Sequence, residues 1–348
     1  MRHLSTLVLL LAVAQPLLAA DSFPINVYPC PRAESAPVLD GKLDDAVWRQ
    51  APLVSGFTLY ENGLPANPQT SFRVLWDDRC LYFGVRCDEP LIEKVIAVRE
   101  AHDEHAVFRS ETVEVFVDPE HTHERYYQIA LNIAGSLYDG EGVVVTWDSD
   151  AQLKTCSDAD GWSAEIAVPW QPMKAKPKAG KVVGFNISRG RNVGEPAYSD
   201  WVRVDPSLGF HDVARFAHLV LSGTPEGIGK LSGEFRQGGR TGPIMVYSAA
   251  GFAQTSYTQL AAAGFAEVEE LLARLDKQCL KEKSPAAAAE IKRRLDEYAA
   301  RLAAMKAEGT GSLDAVQWTR LDLALQELTA TLQKTVGEAR LQALLERI

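Results

Sequence analysis

Three carboxylates, Glu111, Glu114 and Asp118, crowd into the run Ser110-Glu-Thr-Val-Glu-Val-Phe-Val-Asp118. Paired carboxylates about 5 Å or about 6.5–9.5 Å apart are the acid–base machinery of glycosidic bond cleavage. The run alternates apolar and polar residues and reads as a strand, with Glu114 and Asp118 on one face. Four residues of strand span roughly 13 Å, too far for either geometry. Glu165 remains a partner if another strand brings it close. No G-x-S-x-G, H-E-x-x-H or nucleophilic cysteine context is present. The residues point away from catalysis.

Histidines form two pairs, His102/His105 and His121/His123, flanking opposite ends of that strand. The strand's length holds the pairs roughly 20 Å apart, so they do not share one four-ligand site. Each pair reads as a solvated loop feature. Calcium, which takes oxygen ligands, suits loop carboxylates better. Asp118 and Asp139 are the candidates, with Glu120 and Glu141 beside them.

Exposed rings can stack on the apolar faces of sugars while Asn, Gln, Glu or Arg hold the hydroxyls. Phe108 and Phe210 fall in polar loop contexts, yet on residue type alone they read as core. Trp48, Trp76 and Trp162 sit within apolar patterns and read as core.

The elements that position these residues are mainly β. Strands are predicted at 72–76, 80–87, 112–118, 126–132, 162–169, 182–189 and 214–221, separated by turn residues such as Asp77-Asp78 and Asp160-Gly161. Their alternation predicts a two-sheet antiparallel sandwich over residues 21–222. Residues 223–256, rich in Gly, read as a linker. Over 257–348 the period changes to three and four, and three amphipathic helices are predicted. Ser284 caps the second, and Leu321, Leu325, Leu328, Leu332 and Val336 form a stripe on the third. That stripe fits an internal core or a seam for self-association or a protein partner.

Arg2 and His3, the apolar run Leu4–Val13 and the small residues Ala19 and Ala20 have the order of a secretory leader over residues 1–20. The expectation is an exported chain, periplasmic or secreted, without a later membrane span. Export permits disulfides, but the five cysteines leave one thiol over. Cys80 and Cys87 bracket one strand, roughly 23 Å long, and cannot pair; a bridge from Cys30 to Cys80 or Cys156 stays open. Cys87 reads as a buried thiol. The net charge of −10 lies wholly in residues 1–223, with 20 basic and 30 acidic side chains, while 224–348 holds 16 of each. Such a domain repels phosphate backbones, which disfavours nucleic acid.

Several blocks occur in an order that resembles family 9 carbohydrate-binding modules. They are Pro37-Val-Leu-Asp-Gly-Lys-Leu-Asp-Asp-Ala-Val-Trp48, Val74-Leu-Trp-Asp-Asp78 with Leu81-Tyr-Phe83, and Ser110–Asp118. Asp160-Gly-Trp-Ser-Ala-Glu-Ile-Ala-Val-Pro-Trp170, Gly184-Phe-Asn-Ile-Ser-Arg189 and Phe210-His-Asp-Val-Ala-Arg-Phe-Ala-His-Leu219 follow. The resemblance covers about residues 24–222 and not the helical tail. It implies a jelly-roll-like sandwich that binds a glycan or oligosaccharide without catalysis, serves polysaccharide breakdown or surface glycan handling, and carries structural calcium. It places clamp aromatics at Phe108 and Phe210 and a hydroxyl acceptor at Glu114. It also shows two departures. The clamp residues are Phe where the family typically has Trp, and a family Arg falls at Ala130, leaving Gln128 and Asn132 to substitute. The other readings are a scaffold with a degenerate sugar site and a haem-binding electron-transfer relative. For haem, Met173 is the only axial methionine candidate within the sandwich.

Overall fold

The computed structural model describes residues 23–281, 285–309 and 311–345. The leader and Ser284 lie outside the described residues, and so does the side chain of Val336.

The first strands are β1 (Ile25–Cys30), β2 (Thr58–Leu59), β3 (Thr70–Trp76) and β4 (Cys80–Asp88). Next come β5 (Thr112–Asp118), β6 (Tyr127–Asn132), β7 (Leu137–Glu141), β8 (Gln152–Asp158) and β9 (Gly161–Pro169). The last are β10 (Val182–Arg191), β11 (Ala197–Asp200), β12 (Ala217–Leu221), β13 (Ile244–Ser248) and β14 (Gly251–Phe252). The larger sheet has the order β14-β13-β1-β12-β10-β5-β6-β7, with β11 joining β10 and β2 at one end. The smaller has the order β3-β4-β9-β8. The apolar alternates of both sheets meet in one core. Val74, Phe83, Val85 and Ile166 come from the smaller sheet, and Val113, Val115, Ile129, Phe185 and Leu219 from the larger. Trp76 and Trp162 are buried there and Trp48 under the smaller sheet, as expected of core residues.

The sandwich is mostly antiparallel, but β1 runs parallel to both β12 and β13. This corrects the reading of residues 223–256 as a linker. Parallel strands need a long crossover. Residues 223–243 supply it, passing through α1 (Pro225–Lys230) and α2 (Ser232–Phe235) before β13 pairs with β1. Ile228 and Phe235 pack there on Ile25, Val27 and Val220. Glycine content suggested a free connection; tertiary pairing overrides it.

Beneath this crossover the His121/His123 pair is also corrected from a solvated loop feature. His121 is 9% exposed and its Nε2 lies 2.8 Å from Nδ1 of His218 in β12. The His121 and His123 rings are 4.4 Å apart, and Glu234 of α2 closes on His121 at 3.4 Å.

The helices α3 (Tyr257–Cys279), α4 (Pro285–Glu308) and α5 (Ala315–Leu345) form the tail, with α3 packed on both others. Leu321, Leu325, Leu328 and Leu332 are buried in this bundle with Val268, Leu275 and Leu302. The leucine stripe is spent internally. The bundle rests on the sandwich through Leu53 and Phe252 and an Arg320–Asp88 ion pair at 3.2 Å. No described helix is long and apolar enough to cross a membrane. All five cysteines are free thiols, and Cys87 is buried in the core as expected.

Glu165 lies on the outer face of the smaller sheet, opposite Gly84, and is 1% exposed. Its Oε2 accepts hydrogen bonds from the backbone N–H groups of Asp40 and Gly41, and its Oε1 from the Trp48 indole. The block Pro37–Trp48 is therefore a lid over that sheet. Gly41 sits at φ +88°, and a side chain there would meet the Thr155 backbone at 2.6 Å. Removing the acceptor strands three inward-facing donors. Glu165→Ala is expected to lower stability by about 3 kcal/mol in urea unfolding; a loss under about 1 kcal/mol would contradict this role.

Candidate functional site

On β5 the core takes Val113, Val115 and Val117. Strand alternation then sends Thr112, Glu114, Phe116 and Asp118 to the outer face of the larger sheet. Register aligns their neighbours. Asp200 in β11 stands opposite Ser188 in β10, Ser188 opposite Glu114, Glu114 opposite Ala130 in β6, and Ala130 opposite Tyr138 in β7. One row thus crosses five strands. In the row beside it, Phe116 lies opposite Gln128.

The two predicted rings flank this face, Phe108 beside β7 and Phe210 beside β5 and β11. Phe108, on the helical turn His105–Arg109, meets Tyr138 edge-on at 4.9 Å. Phe210, on the turn Gly209–His211, packs against Tyr60 at 5.7 Å, Tyr198 at 6.3 Å and Phe116 at 6.5 Å. A 2.8 Å hydrogen bond between the Tyr126 hydroxyl and His211 Nδ1 steadies that second turn. Both rings are half-buried, and Tyr198 is 41% exposed. Sequence reasoning missed Tyr198 and Tyr60; the alternation Ala197-Tyr-Ser-Asp200 was the available signal.

Glu114 and Gln128 are each 6% exposed and Tyr138 7%, whereas Ser188 and Asp200 have no exposure. A ligand on this face would therefore touch the first three, with Ser188 and Asp200 supporting from beneath. Gln128 Nε2 donates to Glu114 Oε2 at 2.6 Å. Ser188 Oγ donates to Asp200 Oδ1 at 2.7 Å, while Asp200 Oδ2 has no partner. Burial pushes the Glu114 carboxyl up to about 7, against the opposing bond from Gln128. Burial also pushes Asp200 up to about 8, helped by the nearby Glu114 charge. A protonated carboxyl can donate as well as accept, which suits a hydroxyl partner.

Other sequence candidates fall outside the row. Asn132 is fully occupied: its Oδ1 accepts from Ala134 and Ser136 N–H groups and its Nδ2 donates to the Val98 carbonyl. It staples a turn. Glu165 belongs to the other sheet, so the carboxylate neighbouring Glu114 is Asp200, two strands away. Met173, the methionine considered for haem, is 3% exposed within the apolar core.

The carboxylates considered for calcium are mostly engaged. Asp118 accepts from the His123 N–H at 2.7 Å and from Thr122 Oγ1. Glu120 pairs with Lys181 at 2.7 Å and Glu141 with Arg125 at 3.0 Å. Asp139 alone of the four keeps a buried oxygen without a partner, and its neighbours include an imidazole.

The fold and this face define a ligand-binding β-sandwich. The carbohydrate family 9 binding domain-like model matches residues 39–224, more than half of the chain. The chain belongs to that family, whose members are binding domains rather than catalysts. It is 26% identical over 198 residues to endo-1,4-beta-xylanase A of Thermotoga neapolitana and 27% over 193 residues to that of Thermotoga maritima. Each match covers 53% of this chain and 17% of the xylanase, so the chain spans under a fifth of those relatives. A family 9 module from Caldicellulosiruptor kristjanssonii in complex with cellotriose aligns at TM-score 0.42 and 16% identity. It covers 58% of this chain and 95% of that one. The same source's module with glucose gives TM-score 0.43 and 17% identity, covering 58% and 97%.

The raised carboxyls set a pH dependence. Between the unfolded and folded values the folded chain holds protons that the unfolded chain has lost, so stability falls as pH rises. The contribution of Glu114 and Asp200 is lost from about pH 4 up through about 7 and 8. Urea unfolding from pH 5 to 8 should show this decline, and Glu114→Gln should flatten it. An identical slope in the variant would contradict the assignment.

Proposed function

We propose that the outer face of the larger sheet binds a glycan, with Phe108 and Phe210 stacking on it and its hydroxyls met by Glu114 and Gln128. The observation that carries this reading is the register row Asp200–Ser188–Glu114–Ala130–Tyr138, with Phe108 packed on Tyr138 and Phe210 on Phe116 and Tyr198 beside it. The rings supply apolar stacking, and the two polar side chains between them supply direction. Family membership supports the same ligand class. Ala130, where the family carries an arginine, leaves the hydroxyl contacts to neutral groups and a carboxyl that holds its proton near neutrality. An uncharged saccharide fits best. We further propose an exported domain serving polysaccharide breakdown; the leader pattern and the partial likeness to xylanases support this.

Calorimetric titration with glucose and cellotriose tests the site. Each ring truncated to alanine should weaken binding about tenfold, and the pair together by about a hundredfold. Circular dichroism serves as the control for folding. A folded double variant with unchanged affinity would remove this face as the site.

A further inference from the structure

Asp139 projects from β7 at a position opposite Ile129, and its side chain is fully buried. Its Oδ2 accepts hydrogen bonds from the N–H and the hydroxyl of Ser149. Its Oδ1 is buried with no hydrogen-bond partner. Leaving a carboxylate oxygen buried and unpaired is costly, and native chains rarely do so without a reason. An imidazole reaches the same carboxylate at its other oxygen, Oδ2. A ring nitrogen of His102 and carboxylate oxygens of Asp139 and Asp148 all lie within 4.8 Å of one another. His102 Nε2 is 3.6 Å from Asp139 Oδ2.

Three separate segments converge here: the turn before His105, strand β7, and the loop before β8. Asp103 adopts φ +64° and accepts the Asp139 N–H through Oδ1 at 3.1 Å. One Asp148 oxygen accepts the Asp150 N–H, which fixes that loop and leaves the other oxygen. His102 and Asp148 are exposed while Asp139 is buried, so the cluster is open on one side to solvent.

An imidazole with two carboxylates is a donor set for zinc and its first-row neighbours, whereas calcium takes oxygen alone. We propose that His102, Asp139 and Asp148 bind a zinc-class divalent cation, with water completing the coordination. The ion would also tie the segment carrying Phe108 to β7, because Phe108 packs on Tyr138, the residue before Asp139. The metal assignment stands apart from the sugar reading.

The test uses the full chain stripped with a chelator and then titrated with Zn²⁺ or Ca²⁺, followed by calorimetry and thermal unfolding. Zn²⁺ should bind and raise the unfolding temperature; Ca²⁺ at equal concentration should do neither. His102→Ala and Asp148→Asn alter exposed side chains, so folding is retained. Each should weaken the Zn²⁺ site at least about tenfold. Co²⁺ in place of Zn²⁺ should give visible ligand-field bands that His102→Ala abolishes. Zn²⁺ binding unchanged in both variants, or Ca²⁺ binding tighter than Zn²⁺ in the wild type, would overturn the proposal.

Discussion

One buried guanidinium fastens the two sheets. Arg189 of β10 is 1% exposed, and its Nη1 donates to the carbonyls of Gln69 and Asp88 at the end of the smaller sheet. Its Nη2 donates to Glu89 at 3.0 Å and Glu111 at 3.4 Å, both buried. Glu111 Oε1 in turn accepts the N–H groups of Asn192 and Val193, and Arg191 bonds to Glu89. Breaking such a buried ion pair is strongly destabilising, because it leaves the remaining charge uncompensated. The network fixes the start of β5, the end of β10 and the approach to β11. Those strands carry Glu114, Ser188 and Asp200, so the register of the polar row depends on a clamp inside the sandwich.

The ordered blocks that mark the family therefore divide by task. Asp40, Gly41, Trp48 and Glu165 close the smaller sheet, and Glu111 and Arg189 join the sheets. Neither set touches the outer face of the larger sheet. Residues facing outward from the same strands form the polar row. Ala130 falls in that outward set, while Phe108 and Phe210 lie on turns beside it.

Much of the frame was legible because β3, β4, β5, β9 and β10 alternate strongly against a thick core. Strand β8, Gln152-Leu-Lys-Thr-Cys-Ser-Asp158, was not, since it is a polar edge strand with little buried on either side. β1 and β13 were hidden for another reason. Their pairing joins opposite ends of the sandwich, and no local pattern announces it. At the site, Phe108, Phe210, Glu114 and Gln128 came from the family resemblance, and the structure sets them around one row. Ser188, Asp200 and Tyr138 could not be found from spacing, because cross-strand register alone brings them beside Glu114. Asn132 shared the right face and register, but its amide serves the backbone turn at 132–136.

The row also explains why a polar cluster can persist under so little solvent. Glu114 and Asp200 are bonded to Gln128 and Ser188, and burial raises their carboxyls to about 7 and about 8. A polar, nearly neutral floor between rings is a surface for an uncharged, hydroxyl-rich ligand. The most direct measurement is NMR shift mapping of the isotope-labelled chain titrated with cellotriose. The account predicts that the largest perturbations fall on Glu114, Gln128, Tyr138, Tyr198 and the turns bearing Phe108 and Phe210. Perturbations confined to the smaller sheet or the helical tail, with this row unmoved at saturation, would contradict it.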